Sequence, residues 1–241
     1  MFVIPVGTCG VIKKRGHMER KPLLKDSFVK SIIADILSGN YTAGSILPSE
    51  RELSEKMSVS RTVVRSGLAE LSAIGLIKTV DRVGSIVQNV EYNASMPVID
   101  AILSSQGKLS PKLMQGFLEA RKLIEGETAR LAAINRSDED LYQLYGLIRR
   151  EQEIKAEDVA AHAEMSFQLH QRVAYAGGNP IYPILLGTMQ STYELLLKQY
   201  YSQGVTPEEV IPLHRGLYDA ILSRKPDLAR QKMMMILEYR V

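Results

Sequence analysis

Apolar and polar positions change their period several times along the 241-residue chain, and each change marks a predicted element. Within residues 25–37 the apolar side chains Phe28, Ile32, Ile33, Ile36 and Leu37 recur at helical spacing, until Gly39 and Asn40 stop the run. A shorter helix follows Ser49. Ser49 and Glu52 have the spacing of a capping box, in which each side chain satisfies the other's backbone N–H. Leu53 and Met57, four residues apart, share one inward face of that helix. Ser60 is placed to cap a third helix, whose apolar positions Val64, Leu68 and Leu71 keep the helical interval. After Gly75 the period changes to that of strands. Residues 76–80 and 85–90 are β-rich runs around the turn at 81–84, a predicted hairpin.

Three helices and a two-stranded ribbon in that order predict a winged helix-turn-helix, which lays its last helix in a DNA major groove. Arg61, Thr62 and Arg65 lie off the apolar stripe, near the N-terminus of that helix. Two arginines one turn apart suit the task, since one can pair with guanine O6 and N7 while the other grips a phosphate. An arginine pair by itself reads as ordinary surface charge. Here caps, stripe, arginines and ribbon all agree, and that agreement favours DNA.

A polar break at 91–96 is the predicted linker. Val98, Ile99, Ile102 and Leu103 then give a short helix up to Gly107. Beyond Pro111 every pattern is helical. The predicted spans are 113–136, a stretch opened by a second capping box at Ser137 and Asp140, then 158–176, one long helix over 181–201, 207–223 and 226–239. Gly177, Gly178, Asn179 and Pro180 stop the third of these. No strand pattern and no glycine-rich phosphate loop interrupts the series. Helices joined by short polar turns predict an antiparallel bundle. The expected architecture is therefore mainly α: a winged helix-turn-helix over 18–90, the linker at 91–96, and an all-helical domain over 97–241.

Composition changes this picture in three places. The net charge of +3 is unevenly placed: residues 1–95 hold 13 Lys and Arg against 9 Asp and Glu, whereas 96–241 hold 17 against 18. The positive excess therefore sits on the part expected to meet phosphate. The single cysteine, Cys9, excludes an internal disulfide and fits a reducing compartment such as the cytoplasm. No apolar run approaches the roughly 20 residues that span a bilayer. Residues 1–17 run apolar first and basic afterwards, at Lys13, Lys14 and Arg15, which reverses the order of a secretory signal. They are expected to be a loosely ordered extension, with Met18 as a candidate start; the other reading is an arm that packs on a partner.

The phrase LPSERELSEKMSVSRTVVR resembles the signature of the GntR family of bacterial transcriptional regulators, and ILSGNYTAGSILPSE before it is similar to the same pattern. The resemblance implies DNA contacts at Arg51, Ser60, Arg61, Thr62 and Arg65, with Gly84 in the wing. Two departures stand out. Ser66 and Gly67 replace a small or acidic residue and an alanine, and Arg82 replaces the first of two wing glycines. Gly67 is expected to cost about 1 kcal/mol of helix propensity against Ala. Arg82 is expected to reach the minor groove or a phosphate.

From about residue 97 onward the chain is similar to the FCD ligand-binding domain of the FadR-like GntR regulators. The phrases that carry this are EARKLIEGETARLAA, FQLHQRVAYAGGNPIY and LHRGLYDAILSRKPDLAR. In many relatives such a bundle encloses a small carboxylic acid beside a metal held by one Asp and three His. By that similarity His170 and His214 occupy two histidine places, while Ser166 stands where the Asp is expected and Ile236 where the third His is expected. His162, two turns before His170, matches no family residue and is expected at the surface, with a substitute ligand as the other reading. For His170 and His214, two readings stand: a buried histidine satisfied by its neighbours, or an effector contact. Arg121 occupies the place of a pocket arginine, whose fork would pair with a carboxylate; a surface ion pair is the alternative. Tyr193, Tyr200, Tyr201 and Tyr218, with Met233, Met234 and Met235, read as core that can also line an apolar cavity, which leaves an acyl effector open.

The resemblance implies a cytoplasmic, homodimeric, sequence-specific DNA-binding regulator, most simply a repressor. Its operator would be pseudo-palindromic double-stranded DNA, controlled by a small organic acid or acyl effector. No cofactor is expected; the other reading is a divalent metal held at His170 and His214. The competing classes are a metal-dependent enzyme of the helical domain, with Glu164 between His162 and His170, and an architectural DNA-binding protein without an effector. Against catalysis, no paired carboxylates, Ser-His-Asp set or HExxH occurs.

Overall fold

Phe28, Ile32, Ile33 and Ile36 fall on one side of α1 (Leu24–Leu37), and the first core of the protein forms on that side. The computed structural model describes residues 24–90 and 95–239, with the backbone alone at 104–106. The expected extension at 1–17, with its basic trio and Cys9, lies outside the described residues, as do 91–94 of the expected linker.

The caps expected from sequence are formed. At the start of α2 (Glu50–Met57) the Ser49 N–H donates to the Glu52 carboxylate at 2.8 Å, and the Glu52 N–H returns to Ser49 Oγ at 3.3 Å. At the start of α3 (Arg61–Ala73) Ser60 Oγ accepts from the Val63 N–H at 3.3 Å. Leu53, Val64 and Leu71 are wholly buried against the α1 face. Gly67 has a specific reason to be glycine. A Cβ at that position would stand 2.3 Å from the ring of Phe28, so α1 and α3 approach to a distance that alanine does not allow.

The ribbon is β1 (Ile77–Val80) paired antiparallel with β2 (Gly84–Val87), with Ile77 opposite Val87 and Val80 opposite Gly84. The second strand ends three residues earlier than the pattern suggested. A third edge, absent from the sequence reading, comes from residues 44–47. The Leu47 N–H donates to Ser85 O at 2.8 Å, the Val87 N–H to Ser45 O at 2.9 Å, and Ile46 bridges to Ile86.

Next comes α4 (Met96–Gln106), whose Val98, Ile102 and Leu103 bury in the same core as Phe28 and Ile33. The remaining helices are α5 (Pro111–Asn135), α6 (Asp138–Glu151), α7 (Val159–Ala176), α8 (Ile181–Thr188), α9 (Gln190–Ser202), α10 (Pro207–Leu222) and α11 (Pro226–Leu237). The 25-residue α5 is the axis, packed against α7, α10 and α11. The expected single helix over 181–201 is instead two helices, α8 and α9, parted at Met189. Met189 is buried with Phe117, Phe167 and Tyr193, so tertiary burial of that side chain overrides the continuous apolar pattern. The break lets α8 lie on α7 while α9 bridges α7 and α4.

Candidate functional site

The exposed side of the winged unit carries the side chains expected to meet DNA. Arg61 and Thr62 project from the first turn of α3, and Arg51 projects from α2, 3.9 Å from Glu55. Arg65 is held by Glu50 through two bonds, Nε to Oε1 at 3.2 Å and an NH2 group to Oε2 at 2.9 Å. The hydrogen bond from Arg65 holds the Glu50 carboxyl below the ordinary range. Such a solvent-exposed pair contributes little, so Arg65 can exchange it for a phosphate. Ser60 is engaged as the helix cap. In the turn of the ribbon Arg82 adopts φ 61°, the left-handed conformation that explains a glycine preference at that place. Gly84, at φ 118°, abuts Ile46, whose Cγ2 is 3.3 Å from any added Cβ.

A second, buried constellation lies in the bundle. Arg121 and Glu125 are one turn apart on α5, and Arg121 Nε donates to Glu125 Oε1 at 2.7 Å. The guanidinium lies over the Tyr193 ring of α9, its carbon 3.8 Å from the centroid. Glu125 Oε2 faces His170 Nδ1 of α7 in a close hydrogen bond, and the Tyr193 hydroxyl donates to the same oxygen at 3.4 Å. Burial opposes ionisation of Glu125, but Arg121 and His170 outweigh it and bring its pKa down to about 2. Burial lowers the pKa of His170 despite the carboxylate beside it. The neutral ring therefore carries its proton on Nδ1, and Nε2 keeps a lone pair.

His214 of α10 repeats the arrangement, with Nδ1 at 2.9 Å and 3.0 Å from the Glu151 oxygens of α6. Its ring stands 5.6 Å from that of His170. His162 corrects the surface expectation: it is 1% exposed and lies 5.7 Å from the Tyr201 ring. The cause is helical geometry, since His162, Ser166 and His170 are four apart and share the inward face of α7. Glu164, off that face, is exposed and bonds Gln168.

Arg121, Ser166, His170, Tyr193 and Tyr201 form the polar end of a cavity of about 280 Å³, and Leu118, Leu196, Leu197, Leu213 and Ile236 form much of its apolar wall. His214 does not line this cavity; its ring packs among Leu144, Ile148 and Leu217 behind His170. Sequence reasoning missed Glu125 and Glu151. Glu125 had a usable signal in the four-residue spacing from Arg121, whereas Glu151, within RREQE, reads as solvated charge. The residues do not fit a metal. Ser166 and Ile236 occupy two of the four implied ligand places, and among the described residues no group of three or more His, Cys, Asp or Glu is arranged to hold an ion.

Comparison with known proteins matches two family models. Residues 24–87 match the bacterial regulatory proteins of the gntR family, and residues 117–239 match the FCD domain. A fatty acid metabolism regulator protein of Shewanella denitrificans is 31% identical over 175 residues, covering 73% of this chain and 71% of that protein. The Glc operon transcriptional activator of Escherichia coli is 27% identical over 224 residues, covering 88% and 85%. The solved structure of Lar, which controls expression of the Listeria monocytogenes agr system, superposes with a TM-score of 0.58 at 13% identity, covering 91% and 95%, and shares the fold. No described helix is long and apolar enough to cross a membrane. The chain belongs to the GntR family: it is a DNA-binding transcription regulator with an FCD domain, and not an enzyme.

Proposed function

We propose that the protein is a homodimeric, effector-controlled regulator, most simply a cytoplasmic repressor, whose bundle cavity takes a small organic acid. On this reading Arg61 reads a base edge, Arg51, Thr62 and Arg65 hold phosphates, Ser60 sets the angle of α3, and Arg82 and Gly84 shape the wing contact. Arg121 and His170 meet the effector, and His214 braces His170 from behind. Two protomers on a pseudo-palindromic site supply the contacts that one short helix lacks.

One observation carries the reading: α9 has two working faces. Tyr193, Leu196 and Leu197 line the cavity, while Leu195 packs on the winged-unit core and Thr192 donates a close hydrogen bond to Asp100 of α4. A ligand that shifts α9 therefore biases the element that α4 shares with the winged unit.

Fluorescence anisotropy on labelled promoter DNA, combined with a thermal-shift screen of organic acids, acyl-CoAs and divalent metals, tests this. A ligand raises the melting temperature by mass action and changes operator affinity. Arg61→Ala is expected to cost about 1–3 kcal/mol on the operator and to relax base preference. Arg121→Lys keeps a charge on Glu125 but loses the fork, so effector affinity is expected to fall at least about tenfold. Operator binding by the ligand-free variant checks that it folds. A screen hit that binds Arg121→Lys as well as the parent removes Arg121 from the site, and a hit that leaves operator affinity unchanged removes effector control.

A further inference from the structure

The polar end of the bundle cavity holds two buried polar atoms that find no protein partner among the described residues. His170 commits its Nδ1 proton to Glu125, so its Nε2 is an acceptor. That atom is buried, belongs to a cavity-lining side chain and has no protein partner among the described residues. Tyr201 Oη, in a side chain only 6% exposed, likewise has no hydrogen bond of ordinary geometry, although Ser166 stands near it. Arg121, the one buried guanidinium among the described residues, is already paired with Glu125, while Glu151 lies away from the cavity on His214.

A plain carboxylate seated here would bring a second negative charge beside Glu125 against one guanidinium, and it would offer nothing to His170 Nε2. A primary ammonium on the same molecule cancels that charge and brings three N–H donors. Size narrows the part of the ligand that can be enclosed: about 280 Å³ is at the small end of ligand sites. Arg121 and His170 approach the two oxygens of one carboxylate, Glu125, and both line the cavity.

We propose that the cavity binds the zwitterion of an α-amino acid with an apolar side chain. Its ammonium donates to His170 Nε2 and Tyr201 Oη, its carboxylate faces Arg121, and its side chain lies among Leu118, Leu196, Leu213 and Ile236. This rests on the reading that the bundle takes an effector, and it specifies the chemistry of that effector.

The test is isothermal titration calorimetry on the full-length, chelator-treated protein with two matched sets. One set is leucine, 2-hydroxy-4-methylpentanoate and 4-methylpentanoate; the other is phenylalanine, phenyllactate and 3-phenylpropanoate. At least one amino acid should bind tenfold or more tightly than its deamino partner, since hydrogen bonds from a charged donor are the strong ones. Tyr201→Phe should reduce that preference severalfold, and circular dichroism and operator binding verify that the variant folds. Deamino or hydroxy acids that bind as well as their amino partners in both sets overturn the proposal and leave the effector reading standing. Failure of all six compounds also overturns it, and the broader acid and acyl-CoA screen then decides whether any effector reading survives. An unaltered preference in Tyr201→Phe removes Tyr201 from the ammonium site.

Discussion

At the scale of single residues, Gly67 and Glu125 show how a neighbour reverses what a residue type suggests. On propensity alone Gly67→Ala should gain about 1 kcal/mol. The Phe28 ring, 1% exposed and 2.3 Å from the added carbon, turns that gain into a loss. Overpacking of this kind costs about 1–3 kcal/mol, so urea unfolding should show Gly67→Ala less stable than the parent. Adding Phe28→Leu should recover part of the loss in a double-mutant cycle, and additivity of the two changes would reject the contact. Glu125 was only half legible: its spacing from Arg121 is in the sequence, but His170 of α7 and Tyr193 of α9 join it only in the fold. Its folded pKa of about 2 lies below its ordinary value of 4.5, so the unfolded chain binds the extra proton. Glu125 therefore contributes stability above pH 4.5 and loses it as pH falls toward 2. His170, lowered from 6.5, loses stability in the same direction, starting below about 6.5. Glu125→Gln strands the Arg121 charge and should cost about 3–5 kcal/mol at pH 7. Its deficit against the parent should shrink between pH 4.5 and 2; a pH-independent deficit would mean that Glu125 is not ionised.

At the scale of elements, caps and periods were legible where they rest on local chemistry. Ser49, Ser60 and Ser137 cap their helices as the spacing implied, because a capping bond is made within one turn of chain. The ribbon's third edge at 44–47 and the break at Met189 were not legible. Both come from partners distant in sequence, Ser85 and Val87 in one case and Phe117 and Phe167 in the other. The wing turn adds its own prediction. Arg82 bears a left-handed conformation that costs a non-glycine residue about 1–2 kcal/mol, whereas glycine's greater unfolded freedom returns about 0.5–1. Arg82→Gly should thus raise stability by about 0–1.5 kcal/mol. It should also weaken operator and random DNA alike and reduce the salt slope by about 1, as loss of a phosphate contact does. Loss confined to the operator would place Arg82 in the minor groove instead.

At the scale of the whole molecule, the division into a winged unit and a helical bundle could be read from the change of period, but the way the two are joined could not. Val98, Ile102 and Leu103 read as the first turns of the bundle, yet they bury against Phe28 and Ile33. Thr192, wholly buried on α9, ties the same helix to the cavity wall through Asp100. Replacing both partners with apolar groups removes the tie without leaving a buried hydroxyl unpaired. In Asp100→Ala/Thr192→Val, ligand affinity measured by calorimetry should stay within about twofold of the parent, because neither side chain lines the cavity. The ligand-dependent change in operator affinity, set by a coupling of about 1–3 kcal/mol, should shrink severalfold. An operator response equal to the parent's would show that coupling does not pass through this bond. It would leave the Leu195 packing on the winged-unit core, or the spacing of two protomers, as the route by which the bundle controls the DNA-binding face.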